Sequence, residues 1–210
     1  MRLGVLASHG GTNLQAIIDA CKEGRLDAKV CVVISNNSNS MALERAKREG
    51  ISHRHLSSKT HPDDTELDQA ILLTLEDHEV DVVVMAGYMK MLGPATLRRF
   101  RNRVMNSHPA LLPKFGGRGM YGCRVHEAVL AKGERVTGAT IHLADDQYDH
   151  GPTVAQCEVS VLDGDTLDSL TQRVQESERA LWVDTLRKIA TSEIDLDDIA
   201  AEAVGSRLST

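Results

Sequence analysis

The chain has 210 residues, a hydrophobic content of 41%, a charged content of 26% and a formal net charge of −6. This composition is typical of a globular protein and excludes the disordered and fibrous classes. The negative charge and an aromatic content of only 3% argue against a nucleic-acid-binding protein. Such a protein needs basic groups to neutralise phosphates, and many also stack bases on aromatic rings.

The cysteines and the N-terminal segment carry no metal-binding or targeting pattern. Cys21, Cys31, Cys123 and Cys157 lack a CxxC spacing, and no histidine stands at a zinc-type offset. We therefore predict reduced, mostly buried thiols and no metal site. The first apolar run is too short for a signal peptide, and no segment reaches the length of a membrane span. These features predict a cytoplasmic protein that does not bind membranes.

In the first half of the chain, apolar runs alternate with segments of helical periodicity. Strands are predicted at residues 3–7, 30–34 and 80–85. Helices are predicted at residues 13–21 and 41–48, and a longer helix opens at residues 61–64. This alternation predicts an α/β fold with a doubly wound, Rossmann-like and mostly parallel sheet, in which ligands bind at the carboxyl ends of the strands.

The second half of the chain has a different pattern. Residues 135–143 and 153–161 are typical of consecutive strands, which predicts an antiparallel extension of the sheet. Residues 166–189 have the periodicity of an amphipathic helix. The residues after Ser192 are acidic and small. We predict a single catalytic domain over residues 1–192 and a flexible C-terminal tail over residues 193–210.

Residues 8–13, Ser-His-Gly-Gly-Thr-Asn, join the first predicted strand to the first helix. Two glycines let the backbone approach a ligand, and the free amides of a helix start can hold an anion, which indicates a phosphate cradle. The segment matches neither the Walker A loop nor the GxGxxG dinucleotide pattern. A plain turn capped by Thr12 or Asn13 has the same local pattern, so both interpretations remain open.

Two further stretches carry side chains suited to chemistry. Asn106 and His108 stand two residues apart in an extended segment, so both point to the same side, where an amide and an imidazole can stabilise an oxyanion. A polar strand end with a surface histidine is the alternative. Asp149 and His150 lie in a turn-rich loop, where a carboxylate beside an imidazole favours the protonated ring. A solvated acidic turn has the same pattern.

Taken in this order, the three stretches resemble the glycinamide ribonucleotide formyltransferase family over residues 1–189. The resemblance also includes Ser35-Asn36, residues 81–89 around the central predicted strand, residues 108–114 and the segment Asp149-His150-Gly151-Pro152. It implies folate-dependent transfer of a formyl group from 10-formyltetrahydrofolate, as cosubstrate, to 5'-phosphoribosylglycinamide in purine synthesis. It also implies small-molecule partners only, no metal, and a monomer or homodimer.

The resemblance also implies roles for individual residues. The catalytic centre would consist of Asn106, His108 and Asp149. The remaining residues would bind the two substrates: Gly11, Thr12 and Asn13 the ribonucleotide phosphate, Gln175 and Glu178 its ribose and phosphate side, and Met89, Lys90, Met91 and Leu92, with Asn106, the folate.

The chain departs from the family pattern at three places. Lys90 stands where many relatives carry arginine, and lysine keeps the charge but loses the planar fork. Asp63-Asp64 opens a helix where some relatives have arginine, which puts an inherited folate contact there in doubt. The loop at residues 116–122 is longer than in the shortest relatives, which predicts a mobile loop near the site.

Three other functions share parts of this pattern. A formyltetrahydrofolate hydrolase has the same catalytic core but an additional preceding domain, and a methionyl-tRNA formyltransferase has an additional C-terminal domain and a basic surface. We expect neither here, because the first predicted strand lies within the first seven residues and the net charge is −6. A nonenzymatic nucleotide-binding regulator would need the phosphate turn but not Asn106, His108 and Asp149.

Overall fold

The computed structural model describes residues 1–207, which contain seven strands and seven helices. In chain order these are β1 (Arg2–Leu6), α1 (Thr12–Lys22), β2 (Lys29–Ser35), α2 (Met41–Arg48), β3 (Ser52–His55), α3 (Asp64–Asp77), β4 (Val82–Met85), α4 (Pro94–Arg99), β5 (Val104–His108), α5 (Cys123–Ala131), β6 (Val136–Leu143), β7 (Thr153–Ser160), α6 (Leu167–Ala190) and α7 (Leu196–Arg207).

The strands form one seven-stranded sheet in the order β3-β2-β1-β4-β5-β6-β7. Strands β1 to β5 pair in parallel with their neighbours, whereas β6 and β7 are antiparallel. The prediction of a Rossmann-like, mostly parallel sheet with an antiparallel extension is therefore confirmed. The predicted phosphate turn follows β1 and the predicted folate segment follows β4. Both segments therefore lie at the carboxyl ends of strands, where ligands bind in such sheets.

Internal contacts divide the chain into two compact units, Met1–Asn106 and the part from Ser107 onward. In the first unit, β1, β2 and β4 are buried, as the near-continuous apolar runs of central parallel strands require. In the second unit, α5, β7 and α6 share a cluster of buried apolar side chains. Its members are Val129, Val159, Leu170 and Val174.

Side-chain caps explain where three helices begin. Ser40 accepts a hydrogen bond from the Leu43 amide at the start of α2, and Asp63 accepts from two amides at the start of α3. Thr166 and Ser169 form a reciprocal capping box at the start of α6. Each cap satisfies amides that have no partner within the helix, so these helix starts follow from the local sequence.

Three elements, β3, α4 and α5, have no counterpart among the predicted strands and helices. A further helix, α7, lies within residues 193–210, and Leu196 at its start is only 3% exposed. The single domain over residues 1–192 and the flexibility of the C-terminal segment stay predictions; residues 208–210 lie outside the described residues. Within residues 1–207, no helix is both long and apolar enough to cross a membrane.

Candidate active site

A buried carboxylate faces two histidines in the second unit. Asp149 Oδ2 lies 3.3 Å from His108 Nδ1, and Asp149 Oδ1 lies 3.5 Å from His142 Nε2. The amide of Gly117 donates a hydrogen bond of 3.0 Å to Oδ2. All three ionisable side chains are at most 8% exposed. The structure therefore places the predicted Asp149 against the predicted His108 and adds His142 as a second neighbour.

The other nitrogen of each histidine ring contacts a backbone carbonyl. His108 Nε2 lies 2.7 Å from the Phe115 carbonyl oxygen, and His142 Nδ1 lies 2.9 Å from the Leu143 carbonyl oxygen. A carbonyl can only accept, so these two nitrogens donate. Both nitrogens of His108 thus face acceptor oxygens, and so do both nitrogens of His142.

The charge of Asp149 results from two opposing effects. Burial by itself raises the pKa of the carboxyl, because it removes water from the anion. Hydrogen bonds from His108 and His142, the charge of His108 and the Gly117 amide outweigh burial and hold the pKa of Asp149 well below its usual range. The group is therefore a carboxylate at neutral pH and can hold a positive charge on a facing imidazole.

The backbone around Asp149 explains how this carboxylate reaches the interior. Asp149 has a φ of 56°, in the left-handed region that aspartate tolerates better than most residues. Gly151 follows closely, and a Cβ there would collide with the Leu143 carbonyl oxygen. The Leu143 amide donates to the Pro152 carbonyl at 2.8 Å. The Asp-x-Gly-Pro sequence thus closes the loop between β6 and β7 and directs Asp149 inward.

The glycine-rich loop at residues 116–122 lies beside the cluster through its first residues. Phe115, just before it, has a φ of 57°, and Gly117 has a φ of 94°. The Phe115 carbonyl contacts His108, and the Gly117 amide contacts Asp149. The loop therefore lies near the predicted catalytic residues His108 and Asp149, while its mobility stays a prediction.

Strand β5 carries both predicted residues of the Asn-x-His motif. Asn106 pairs with Met85 of β4, and His108 ends the strand two residues later. Between them, the Ser107 hydroxyl donates a short hydrogen bond to Glu178 of α6. Glu178 is 8% exposed, whereas Gln175, one turn earlier, is exposed. Of the two predicted late-helix residues, only Glu178 is thus brought against the end of β5.

The predicted phosphate turn leads into α1 without a side-chain cap. Gly11 occupies the N-cap position with a φ of 65°, and its carbonyl accepts from the Gln15 amide at 3.0 Å. Neither Thr12 nor Asn13 caps the helix; among residues 1–207, the Asn13 side-chain oxygen has no hydrogen-bond partner although the residue is 8% exposed. The first amides of α1 are therefore left for an anion, which favours a phosphate cradle.

Ser8 connects the phosphate turn to the predicted folate segment. The Met89 amide donates to the Ser8 hydroxyl at 2.8 Å, and this hydroxyl donates to the Asn36 side-chain oxygen at 2.6 Å. The Ser8 amide also donates to the Gly87 carbonyl at 3.0 Å. Ser8 is 1% exposed, so its buried hydroxyl holds the Met89 amide at the start of the predicted folate segment.

The predicted folate segment borders a cavity of about 760 Å³. Lys90, Met91 and Leu92 line it, together with the basic residues Lys59 and Arg98. Met91 is 37% exposed and Leu92 5% exposed, so the segment presents one accessible apolar side chain and one anchored side chain. The cavity thus combines apolar walls with a small number of charged side chains of both signs, as is common for small-molecule sites.

Asp63 and Asp64 have different positions in the structure. Asp63 Oδ1 accepts from the Thr65 and Glu66 amides at 2.8 and 3.0 Å, which makes it a helix cap. Asp64 lines the same cavity as Lys90. No group of three or more His, Cys, Asp or Glu side chains within residues 1–207 is arranged to hold a metal ion.

Sequence reasoning missed two buried histidines of this region. His142 lies within the apolar run of β6, where only its contact with Asp149 reveals it. His126 of α5 is 2% exposed, and its Nδ1 has no hydrogen-bond partner among residues 1–207. Burial, and secondly the charge of His108, lowers the pKa of His126, so this ring stays neutral. A histidine within an apolar pattern was the only sequence signal for either residue.

Comparison with known proteins shows close relatives along the whole chain. A family model described as "Formyl transferase" matches residues 1–186. Phosphoribosylglycinamide formyltransferase of Escherichia coli (strain K12) is 35% identical over 208 residues, which covers 99% of this chain and 96% of that protein. The crystal structure of glycinamide ribonucleotide transformylase 1 from Symbiobacterium toebii matches with a TM-score of 0.85 and 38% identity, over 91% of this chain and 88% of that one.

A formyltetrahydrofolate deformylase from Pseudomonas syringae pv. tomato shares the fold. Its crystal structure matches with a TM-score of 0.81 at 24% identity, over 91% of this chain and 61% of that one. The family match over residues 1–186 and the extent of the E. coli alignment lead to one conclusion. The chain belongs to the formyl transferase family.

Proposed function

We propose that the protein transfers the formyl group of 10-formyltetrahydrofolate to the amine of 5'-phosphoribosylglycinamide. The products are formylglycinamide ribonucleotide and tetrahydrofolate, in the de novo synthesis of purines. The observation that carries the proposal is the buried Asp149 carboxylate against His108, at the end of the strand that also carries Asn106. The relatives named for this activity support it over nearly the whole chain.

The reaction is a direct transfer between two bound substrates. The neutral amine of the glycinamide attacks the formyl carbon and forms a new C–N bond, which gives a tetrahedral intermediate. The bond between this carbon and the folate N10 then breaks; the amine loses one proton and N10 gains one. Binding both substrates in one orientation supplies the proximity, so no covalent enzyme intermediate is required.

Asn106, His108 and Asp149 have complementary roles in this mechanism. The Asn106 amide donates a hydrogen bond to the oxygen of the intermediate, whose negative charge develops during attack, and the positive charge of the protonated His108 ring stabilises that oxygen. A direct hydrogen bond from His108 would require Nε2 to exchange the Phe115 carbonyl for the oxygen of the intermediate. Asp149 keeps His108 charged and oriented. His142 and the Gly117 amide in turn hold the Asp149 carboxylate in place through their contacts with its two oxygens. His142 is thus a positioning residue of the same cluster.

The two substrate sites follow from the local structure of each segment. The uncapped start of α1 at Gly11, Thr12 and Asn13 binds the ribonucleotide phosphate through backbone amides. Glu178, which Ser107 orients, binds the ribose hydroxyls, and Gln175 assists from the exposed face of α6. The folate binds along Met89, Lys90, Met91 and Leu92, and the basic cavity residues Lys59 and Arg98 face its anionic tail.

A stoichiometric assay tests this function directly. The protein is incubated with 5'-phosphoribosylglycinamide and 10-formyltetrahydrofolate, and formylated ribonucleotide and tetrahydrofolate are measured together. We expect equal amounts of the two products. Tetrahydrofolate and formate without formylated ribonucleotide would instead identify a hydrolase, and the absence of any turnover would favour a nonenzymatic binding protein. The cytoplasmic location and a monomeric or homodimeric state remain part of the proposal.

The Met91→Asp substitution tests the folate segment. The new carboxylate would lie on an apolar wall of the cavity and would have to be desolvated when folate binds. We expect the KM for 10-formyltetrahydrofolate to rise by roughly tenfold, which corresponds to about 1.4 kcal/mol, while ribonucleotide affinity stays nearly constant. Leu73→Asp is the matched control, because Leu73 is 55% exposed on α3. An equal loss for both substrates would mean that Met91 supports the fold rather than the pocket.

A further inference from the structure

Helix α2 contacts the phosphate turn at two successive peptide groups. The Ala42 amide, in the first turn of α2, donates to the His9 carbonyl at 3.1 Å. Arg45, one turn later, donates through Nε to the Gly10 carbonyl at 2.9 Å. A Cβ on Gly11 would come within 2.9 Å of the Ala42 Cα. The turn therefore packs directly on α2, and two of its carbonyl groups point toward that helix.

The direction of these carbonyl groups determines where the turn's amides point. In a trans peptide, the carbonyl of one residue and the N–H of the next point in opposite directions. The His9 and Gly10 carbonyls point to α2, so the Gly10 and Gly11 N–H groups point away from it. A hydrogen bond from a cation to the Gly10 carbonyl also polarises that peptide and makes the Gly11 N–H a stronger donor.

Arg45 is itself held in place by α1. Its Nη1 donates to the Gln15 side-chain oxygen at 3.1 Å, and Gln15 donates to Asp19 at 2.9 Å. The exposed Arg48 donates to the same Gln15 oxygen at 2.7 Å and pairs with Glu49 at 3.4 Å. The two arginines therefore share a partner on α1, and Arg45 donates the hydrogen bond to the turn.

We propose that Arg45 is a positioning residue for recognition of the substrate's 5'-phosphate. It acts through the Gly10 carbonyl: it fixes the Gly10–Gly11 peptide with its N–H toward the phosphate and strengthens that N–H as a donor. The inference rests on the proposed function, because it assigns Arg45 to the phosphate turn of that reaction. It predicts an effect that depends on the phosphate group and spares both the formyl donor and the chemical step.

The test compares Arg45→Met with Arg48→Met on two acceptor substrates. Methionine keeps the apolar stem of each arginine and removes the donors. The acceptors are 5'-phosphoribosylglycinamide and the corresponding glycinamide ribonucleoside without phosphate. In Arg45→Met we expect kcat/KM for the phosphorylated acceptor to fall by about tenfold, the effect of weakening a hydrogen bond to a charged group. Activity on the ribonucleoside, the KM for folate and kcat should stay within twofold of wild type.

The outcomes separate the inference from the function on which it rests. Arg48→Met should retain wild-type preference for the phosphorylated acceptor. An equal loss on both acceptors in Arg45→Met, or an equal loss of preference in Arg48→Met, overturns the role of Arg45 while leaving the transfer activity intact. A wild-type enzyme with no preference for the phosphorylated acceptor overturns the phosphate turn itself. If Arg45→Met does not fold, Arg45→Lys is measured with the same expected direction and a smaller loss.

Discussion

Replacing Asp149 with asparagine should reduce kcat for formyl transfer by roughly a hundredfold to ten-thousandfold, the contribution typical of a positioned acid. The amide keeps the shape of the side chain but removes the negative charge that faces His108 and His142. The stabilisation of a protonated His108 is then lost, while the substrate-binding segments are unchanged. Steady-state kinetics should show KM values for both substrates within a few-fold of wild type.

The neighbouring Asp145 supplies a matched control for Asp149→Asn. Asp145 lies in the same loop and pairs with His150 at 3.2 Å, but both side chains are at least 34% exposed. Exposed ion pairs contribute little, so Asp145→Asn should retain nearly full activity. Comparable losses in both variants would attribute the effect to the loop as a whole. Near-normal turnover in His108→Ala would remove His108 from the mechanism.

Gly11→Val should weaken ribonucleotide binding by roughly tenfold to a hundredfold, the range for losing hydrogen bonds to a charged group. Valine strongly disfavours the φ of 65° at this position, and its Cβ would lie 2.9 Å from two atoms of Ala42. The turn must shift, so its amides no longer converge on the phosphate. Calorimetry should show a large loss of ribonucleotide affinity and a small change in folate affinity.

Gly24→Val separates backbone strain from binding in this experiment. Gly24, just beyond the other end of α1, has a similar φ of 70°, and a Cβ there meets no atom within 4 Å. Both valine variants should lose stability through strain, on the order of 1–3 kcal/mol, visible as a lower Tm. Only Gly11→Val should lose ribonucleotide affinity. Unchanged affinity in a folded Gly11→Val protein would contradict the assignment of this turn.

The elements that the sequence predicts are those with a strong pattern. Strands β1, β2 and β4 are apolar runs, and α6 shows amphipathic periodicity, so burial alone specifies them. Strand β3 consists of Ser52-His53-Arg54-His55 and has no such pattern; its backbone pairing with β2 forms it. Helix α4 has only six residues, and Asp68 of α3 binds its first amides, a contact between distant residues that local propensity does not encode.

In the site, too, the sequence predicts contacts between neighbouring residues but not contacts between distant ones. The Asn-x-His spacing places Asn106 and His108 on one strand, and the Asp-x-Gly-Pro turn brings Asp149 inward; both are local properties. The second contact of Asp149, with His142, depends on where β6 lies relative to the turn that follows it. The hydrogen bond from Ser107 to Glu178 joins residues 71 positions apart. Pairings over such distances are determined by packing rather than by spacing.

If the two segments bind the substrates as proposed, the hydroxyl of Ser8 has a thermodynamic consequence for substrate binding. It receives the Met89 amide and donates to Asn36, and its own backbone leads directly into the phosphate turn. A ligand that orders one of these segments therefore reduces the conformational entropy that the other segment still has to lose on binding. The resulting coupling free energy is reciprocal. The factor by which one substrate raises the affinity for the other equals the factor by which the second raises the affinity for the first. Under the proposed assignment of the two segments, we expect this buried hydroxyl to couple the two binding equilibria, in addition to the direct contact between the reacting groups of the two substrates.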